Sequence, residues 1–462
     1  MPELPEVETV VRILNGFVPN KTIKDIRIFH EKSVLTPAHL FKDSLIGETF
    51  LPCTRIGKFI IFHLTHEKVV ISHLRMEGKY FEGQAGQKPE KHDTLIYDFT
   101  DGTSLRFNDV RKFGIAELKS ENDYKTTLPI SKLGKEPWDL EAKELHAQYR
   151  KISGPIKSAL LDQTIILGLG NIYADEVLFA SKINPKTPAK TLSIDECQRL
   201  IEESRRILSE AIEQGGSTIR SYHPKEGMSG NMQNELHAYG RSGEKCDRCG
   251  MIMRKISIGG RGTTYCPHCQ PLKDKPLIVG VTGPIGAGKS SVSTILKEKG
   301  FKVLDADKIV HELYKEDTVK KELSKMFRKD ILKDGEIDKK ALLSYVVSNP
   351  REKAKLEEYV HPLVYKKIDE EISSKKYKKV LVDVPLLIGG PLEKECDLII
   401  YIDADKDTRL ARLIKRNVDP KKFLELNDSF PARKAKKAAS IILDGSGTLD
   451  NLRGQIDHLA LF

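Results

Sequence analysis

LIVGVTGPIGAGKSSV, residues 277–292, divides this 462-residue chain into two parts of different character. Its opening run is almost wholly apolar and ends in glycine, as a strand buried on both faces would. G-x-x-x-x-G-K-S then runs from Gly283 to Ser290 and leads into a helical pattern. A strand before and a helix after are what a phosphate-binding loop requires. Its glycines let backbone N–H groups converge on phosphate, and the helix N-terminus adds a favourable dipole. The candidate contacts are Gly283, Gly286, Ala287, Gly288, Lys289, Ser290 and Ser291. Lys289 would neutralise the β and γ phosphates of ATP, and Ser290 would hold Mg²⁺.

Outward from this loop, VLVDVPLLI (380–388) and LIIYID (398–403) repeat the apolar pattern, separated by helical segments. The alternation predicts an α/β domain with a parallel sheet over residues 277–462. Upstream, TIKDIRIF, KFIIFHL, KVVISHL, TLIYDF and TSLRF have the period of half-buried strands. With a leading helix from Pro5 to Leu14, they predict an antiparallel β-sandwich over residues 1–130. Helical periodicity follows over 131–225, within a helical domain read as 131–240, clearest in LEAKELHAQYRKI (140–152) and DECQRLIEESRRILSEAIEQ (195–214). Ser193, with Glu196 three residues on, predicts a capping box for the second. Residues 241–270 form a cysteine-rich hairpin, and PLKDKP (271–276) reads as a linker.

The net charge of +10 suggests a polyanionic partner. It is uneven, roughly +3 over residues 1–270 and roughly +7 over the remainder, so any polyanion bound by the first part must be held by placed cations. No apolar run approaches about 18 residues, the length a membrane span needs. MPELPEVETV lacks the basic and apolar stretches of a secretion signal, which predicts a cytoplasmic protein without a membrane partner.

Four of the seven cysteines form two C-x-x-C pairs, Cys246 with Cys249 and Cys266 with Cys269. Two such pairs complete a tetrahedron around one structural zinc ion and leave no open position for chemistry at the metal. Between them, SIGGRGTTYC places Arg261 beside glycines at a hairpin tip, where a guanidinium can grip phosphate. Cys53, Cys197 and Cys396 read as small buried residues. At the other end, loss of Met1 would expose the amine of Pro2. An α-amine titrates near about 8, so much of it is nucleophilic at neutral pH. Such an amine attacks a sugar C1′ to give a Schiff base, with Glu3 beside it for proton transfer.

PELPEVETV (2–10), HLRMEGKYF (73–81), NDVRKFG (108–114), GLGNIYADEVLF (168–179) and the hairpin ending YCPHCQ (265–270) occur in that order. Together they resemble formamidopyrimidine-DNA glycosylase across residues 1–270. The resemblance implies a β-sandwich catalytic domain, a helix–two-turns–helix DNA-binding domain and a zinc finger, acting on oxidised purines in double-stranded DNA. It implies that Pro2 is the Schiff-base nucleophile, Glu3 a proton donor, and Lys58 the general acid of β-elimination, with Arg261 assisting δ-elimination. Met76, Arg111 and Phe113 would fill the gap left by a flipped nucleotide, as apolar and cationic wedges can. His92, Lys157 and Asn171 would hold the DNA backbone. Glu77 and a loop with Ser217, Thr218, Arg220 and Tyr222 are candidate contacts to the damaged base.

VLDADKIVHELY (303–314), EEYVHPLVYKKI (357–368), LVDVPLL (381–387) and RLARLIKRN (409–417) are ordered as in dephospho-CoA kinase, which residues 277–462 resemble. By this resemblance Asp307 is the base toward the ribose 3′-hydroxyl of dephospho-CoA, and Asp305, Asp383 and Arg416 support substrate or ATP. Asp305 and Asp307, two apart, would point the same way on an extended segment. Two departures stand out: Gly389 occupies the place of an acidic residue, and the lid reads ELNDSFPARK, with Lys421, Lys422 and Arg433 nearby. They leave open a second reading, an active glycosylase fused to a P-loop kinase that is degenerate or uses another acceptor.

Overall fold

The computed structural model describes residues 2–216, 235–273, 275–327, 331–374, 376–385, 387–416 and 430–459. The expected contacts at Ser217, Thr218, Arg220 and Tyr222, and at Lys421 and Lys422, lie outside the described residues. The chain forms two compact units, Met1–Gly243 with Met253–Tyr265, and Glu244–Ile252 with Cys266–Phe462. The hairpin region expected as one piece over 241–270 is thus divided. Its strands belong to the first unit and its four cysteines to the second.

The first unit opens with α1 (Leu4–Leu14), which buries Val7, Val10, Val11 and Leu14 along one stripe. Eight strands follow with α2 (Ala38–Leu45) among them: β1 (Ile23–Ile28), β2 (Thr54–Ile56), β3 (Phe59–Leu64), β4 (Lys68–His73), β5 (Lys79–Gln84), β6 (Asp93–Phe99), β7 (Thr103–Asn108) and β8 (Ile115–Ser120). They make two antiparallel four-stranded sheets, ordered β1-β6-β7-β5 and β2-β3-β4-β8. A shared core fills the sandwich, where Phe50 meets Phe62, Tyr97 and Phe99 edge-on at 5.6–5.8 Å. Edge-on contact sets a positive ring rim against a negative face, which adds to the gain from burial.

The helical part contains α3 (Ala142–Tyr149), α4 (Ile156–Leu160), α5 (Asn171–Ala180) and α6 (Ile194–Glu213) around their own core. α3 is shorter than its periodic stretch because the chain turns at Arg150–Ile152 toward Pro155. α6 begins at the expected capping box: Ser193 Oγ accepts from Glu196 N, and the Glu196 carboxylate accepts from Ser193 N at 2.8 Å. Strands β9 (Arg254–Ile258) and β10 (Arg261–Tyr265) form an antiparallel hairpin turned at Gly259–Gly260.

The second unit is built on a parallel sheet of β11 (Leu277–Thr282), β12 (Lys302–Asp305), β15 (Lys379–Asp383), β16 (Leu398–Asp403) and β17 (Ile441–Asp444), ordered β12-β15-β11-β16-β17. A small β13–β14 ribbon (Leu332–Lys333 and Glu336–Ile337) lies in its helical insertion. The helices are α7 (Lys289–Glu298), α8 (Ala306–Leu313), α9 (Asp317–Met326), α10 (Lys339–Val347), α11 (Pro350–Ser373), α12 (Leu392–Glu395), α13 (Lys406–Ile414), α14 (Ala432–Ala438) and α15 (Leu449–Asp457). β15 stops at Asp383, shorter than the apolar run predicted, because Pro385 supplies no N–H for a further ladder bond. Among the described residues no helix is long and apolar enough to cross a membrane.

Candidate active sites

Strand register gathers the expected glycosylase residues at one end of the sandwich. Phe59, His73 and Ile115 lie side by side across β3, β4 and β8. Immediately outside this row come Lys58, the Leu74–Gly78 turn carrying Met76 and Glu77, and the 109–114 loop carrying Arg111 and Phe113. In the other sheet Asn108 pairs with Lys79 and with Asp93, which puts His92 at the same end. Both loops cross from one sheet to the other here.

Glu3 is 2% exposed and its carboxylate caps the start of α5. Oε2 accepts from Gly170 N at 2.6 Å and Tyr173 N at 3.3 Å, and Oε1 accepts from Ile172 N at 2.9 Å. Free N–H groups and the helix dipole make this a natural seat for an anion. Gly170 allows the approach, since a Cβ there would stand 2.2 Å from Glu3 Cδ. Glu6 completes the arrangement, accepting from Glu3 N at 2.8 Å and from the Tyr173 hydroxyl at 2.7 Å. Lys58, 4% exposed, donates to Leu169 O at 2.6 Å. Burial pushes the Glu3 carboxyl up, against the pull of Lys58 and the α5 N–H groups. Burial pushes the Lys58 ammonium down, with Glu3 and Glu6 opposing and Arg261 assisting. Pro2 adjoins this seat and is half-buried.

The side chains of Met76 and Phe113 are exposed, by 39% and 54%. Core packing therefore does not explain them. Arg111 lies over the Phe113 ring at 5.0 Å. Their loop is wound around the fully buried Asp109, which accepts from Arg111 N at 2.9 Å, Phe113 N at 2.8 Å and Gly114 N at 2.7 Å. Asp109 N in turn donates to His92 O at 3.0 Å. Glu77 is exposed.

Lys157 departs from its expected place on the DNA backbone. Its Nζ is fully buried, donates to Asn171 O at 3.1 Å and pairs with the Asp175 carboxylate. The other Asp175 oxygen accepts from Thr264 N at 3.0 Å, and Asn171 Nδ2 donates to Gly262 O at 3.0 Å. In this conformation Lys157 and Asp175 tie α4 and α5 to β10, whose exposed first residue is Arg261. Burial lowers the Lys157 ammonium and raises Asp175 to about 6. Glu176 makes a similar clamp, accepting from the N–H groups of His237, Ala238 and Tyr239. Neither Asp109 nor Glu176 was picked out by its sequence pattern. A buried carboxylate serving backbone amides has no spacing rule to reveal it.

In the second unit the Sγ atoms of Cys246, Cys249, Cys266 and Cys269 all lie within 4.8 Å of one another, with Cys246–Cys269 at 3.9 Å and Cys249–Cys266 at 3.5 Å. A tetrahedron with Zn–S bonds of about 2.3 Å has edges of about 3.8 Å, so these thiols fit zinc. Cys53, Cys197 and Cys396 are buried.

The phosphate loop opens onto a cavity of about 780 Å³, lined by Gly283, Gly286, Gly288, Lys289, Ser290 and Ser291 together with Asp305, Asp307, Asp383 and Arg416. Ala287, fully buried beneath the loop, is not among the lining residues. Gly288 starts α7 at φ +111°, a conformation that side chains with a Cβ disfavour. Lys289 Nζ donates to Gly283 O at 2.6 Å. Asp383 ends β15 and accepts from Ser293 Oγ at 2.9 Å. Burial raises Asp383 and lowers Lys289, each opposed by the other's charge. Asp305 and Asp307 reach the cavity by a different route from the extended segment expected. β12 ends at Asp305, which caps α8 by accepting from Asp307 N and Lys308 N, and Asp307 stands exposed in the first helical turn. Gly389 has φ +85° in a turn, where its N–H donates to Glu393 Oε2 at 2.6 Å.

Comparison with known proteins agrees with this geometry. The family profiles "Formamidopyrimidine-DNA glycosylase N-terminal domain", "Formamidopyrimidine-DNA glycosylase H2TH domain" and "Zinc finger found in FPG and IleRS" match residues 1–116, 133–223 and 243–272. "Dephospho-CoA kinase" matches residues 277–451. A formamidopyrimidine-DNA glycosylase of Exiguobacterium sp. is 48% identical over 275 residues, 58% of this chain and 99% of that protein. The one from Bacillus subtilis is 45% identical over 280 residues, 59% of this chain and all of that protein. The Lactococcus lactis Fpg in complex with abasic-site DNA superposes with a TM-score of 0.56 at 42% identity, covering 58% of this chain and all of that one. The same protein bound to N7-benzyl-Fapy-dG DNA gives 0.55. The chain thus belongs to the formamidopyrimidine-DNA glycosylase family through its first 270 or so residues and carries a dephospho-CoA kinase domain behind them.

Proposed function

We propose that this chain is a bifunctional enzyme. Its first part excises 8-oxoguanine and formamidopyrimidines from double-stranded DNA and cleaves the strand at the abasic site. Its P-loop domain phosphorylates the 3′-hydroxyl of dephospho-CoA. The seat of Glu3 at the start of α5, with Lys58 buried beside it and Pro2 adjoining, carries the first reading. With Met1 removed, the Pro2 amine attacks C1′ while the C1′–N bond breaks and the base leaves with a proton. Glu3 protonates the ring oxygen as the sugar opens, leaving a Schiff base on Pro2. Loss of a C2′ proton then expels the 3′-phosphate, with Lys58 as general acid, and a second elimination assisted by Arg261 expels the 5′-phosphate. Water releases the sugar remnant and restores the amine. Borohydride should trap the Schiff base on an 8-oxoguanine duplex, and Pro2→Gly or retention of Met1 should abolish trapping. Equal trapping by those variants removes Pro2 from the role.

The cavity joining the phosphate loop to Asp307 supports the second reading. Asp307 takes the proton of the acceptor hydroxyl as its oxygen attacks the γ-phosphorus and ADP departs, with Lys289 offsetting charge on the phosphates. Mg²⁺, held at Ser290, would supply further neutralisation. Gly389, placed where the resemblance expects a carboxylate, favours slow transfer or another acceptor as the competing outcome. Assaying phosphate transfer from ATP to dephospho-CoA and to a panel of nucleosides separates these. Asp307→Asn should abolish transfer; undiminished product refutes the base assignment. This pairing of substrates is consistent with a cytoplasmic enzyme.

A further inference from the structure

We infer that His73 is a positioning residue for Met76, setting through one hydrogen bond the turn that presents this wedge to DNA. The inference rests on the reading of Met76 as the residue that fills the gap of an extruded nucleotide. His73 is the last residue of β4, 8% exposed, and is held between Phe59 of β3 and Ile115 of β8. Its ring stands edge-on to Phe59 at 4.7 Å. Nδ1 accepts from Arg75 N at 2.9 Å.

That bond falls where the turn needs it. Arg75 has φ +55°, a conformation that a residue with a Cβ avoids unless its surroundings hold it there. A second bond, Gly78 N to Leu74 O at 2.9 Å, closes the other side, and Leu74 is buried at 1% exposure. Between Leu74 and Gly78 the side chains of Arg75, Met76 and Glu77 are exposed. Acceptance at Nδ1 requires the neutral tautomer with its proton on Nε2. Burial, with the Arg75 and Lys58 cations, pushes the imidazole down to about 3, so the acceptor persists across physiological pH. Phe59 directly follows Lys58, so the same ring fixes the wedge relative to the lysine of the lyase.

Two substitutions separate the bond from the ring. His73→Phe keeps an aromatic ring against Phe59 and has no acceptor. His73→Asn loses the ring and puts an amide oxygen near the place of Nδ1. Each would be assayed for single-turnover excision from an 8-oxoguanine duplex, for fluorescence of a 2-aminopurine beside the lesion, and for borohydride trapping on a preformed abasic site. For His73→Phe the expected result is excision slowed about tenfold or more, with a smaller 2-aminopurine rise and trapping within about threefold of wild type. His73→Asn should stay within about threefold in all three. Unchanged excision in His73→Phe overturns the inference, as does an Asn variant as slow as Phe. Equal loss of excision and trapping would assign His73 to the Lys58 chemistry instead, and overturn it too. A wild-type protein that neither excises nor traps would fail the glycosylase reading itself, which is a different result.

Discussion

Replacing Asp109 with alanine removes three acceptor contacts at once, those to the N–H groups of Arg111, Phe113 and Gly114. Water can solvate the first two, whose bonds are only partly buried, but the Gly114 bond is buried and its donor would be orphaned. One such donor costs about 1–3 kcal/mol. The released loop must also be ordered again on DNA, at about 1–2 kcal/mol for each residue. Taking about 1 kcal/mol for the donor and about 1 kcal/mol for each of two residues gives about 3 kcal/mol, or about 100-fold in excision. Asp109→Asn keeps an oxygen for Phe113 and Gly114 but turns an amide N–H toward Arg111 N–H, so about tenfold is expected. Single-turnover excision from an 8-oxoguanine duplex, with thermal melting alongside, reads both. Excision within about threefold of wild type in Asp109→Ala would refute the view that this carboxylate organises the wedge loop.

Other tests reach further. Gly170→Ala drives a Cβ into the Glu3 carboxyl, and should abolish borohydride trapping while the protein stays folded. Chelation, or Cys249→Ser, should release zinc and weaken DNA binding, measured by metal content and fluorescence anisotropy, because zinc supplies the folding energy of so small a unit. Lys289→Ala should eliminate ATP binding in calorimetry. Although burial works the other way, bonds from Lys68, Thr65 and His66 hold the Glu48 carboxyl down at about 2, below its ordinary 4.5. A depressed carboxyl stabilises the fold above its unfolded value. That stability should fade as pH drops from 4.5 toward about 2, and Glu48→Gln should flatten the loss in thermal melts.

What the sequence disclosed depended on whether a residue's role leaves a spacing behind. Phosphate loops and zinc knuckles do, because several ligands must converge from one short stretch; Lys289 and the four cysteines were legible for that reason. Strand periodicity revealed β1, β3, β4, β6 and β7, but not β2, which is three residues long, or β5 and β8, which each bury a single side chain, Tyr80 and Ala116. Lys157 is assigned to the DNA backbone by the resemblance alone. Its burial depends on Asp175, eighteen residues on, a pairing no local pattern reports. An extended segment would align Asp305 and Asp307, but Asp305 caps α8 and the helix begins at Ala306. His73, Asp109 and Glu176 went unread for a common reason. Each serves backbone amides, and backbone has no identity in a sequence.

Glu3 and the amide of Gly170 stand 167 residues apart along the chain. During synthesis the amino terminus leaves the ribosome first, and then waits for 167 further residues before the first amide of its carboxylate seat exists. The entropy of closing so long a loop grows only slowly with its length, so the delay is one of order rather than of cost. On the roles proposed above, a nascent chain would carry the Pro2 amine uncoupled from the α5 seat of Glu3. Only the folded unit brings Glu3 to that seat, so the roles proposed for Pro2 and Glu3 would be joined only after α5 has formed.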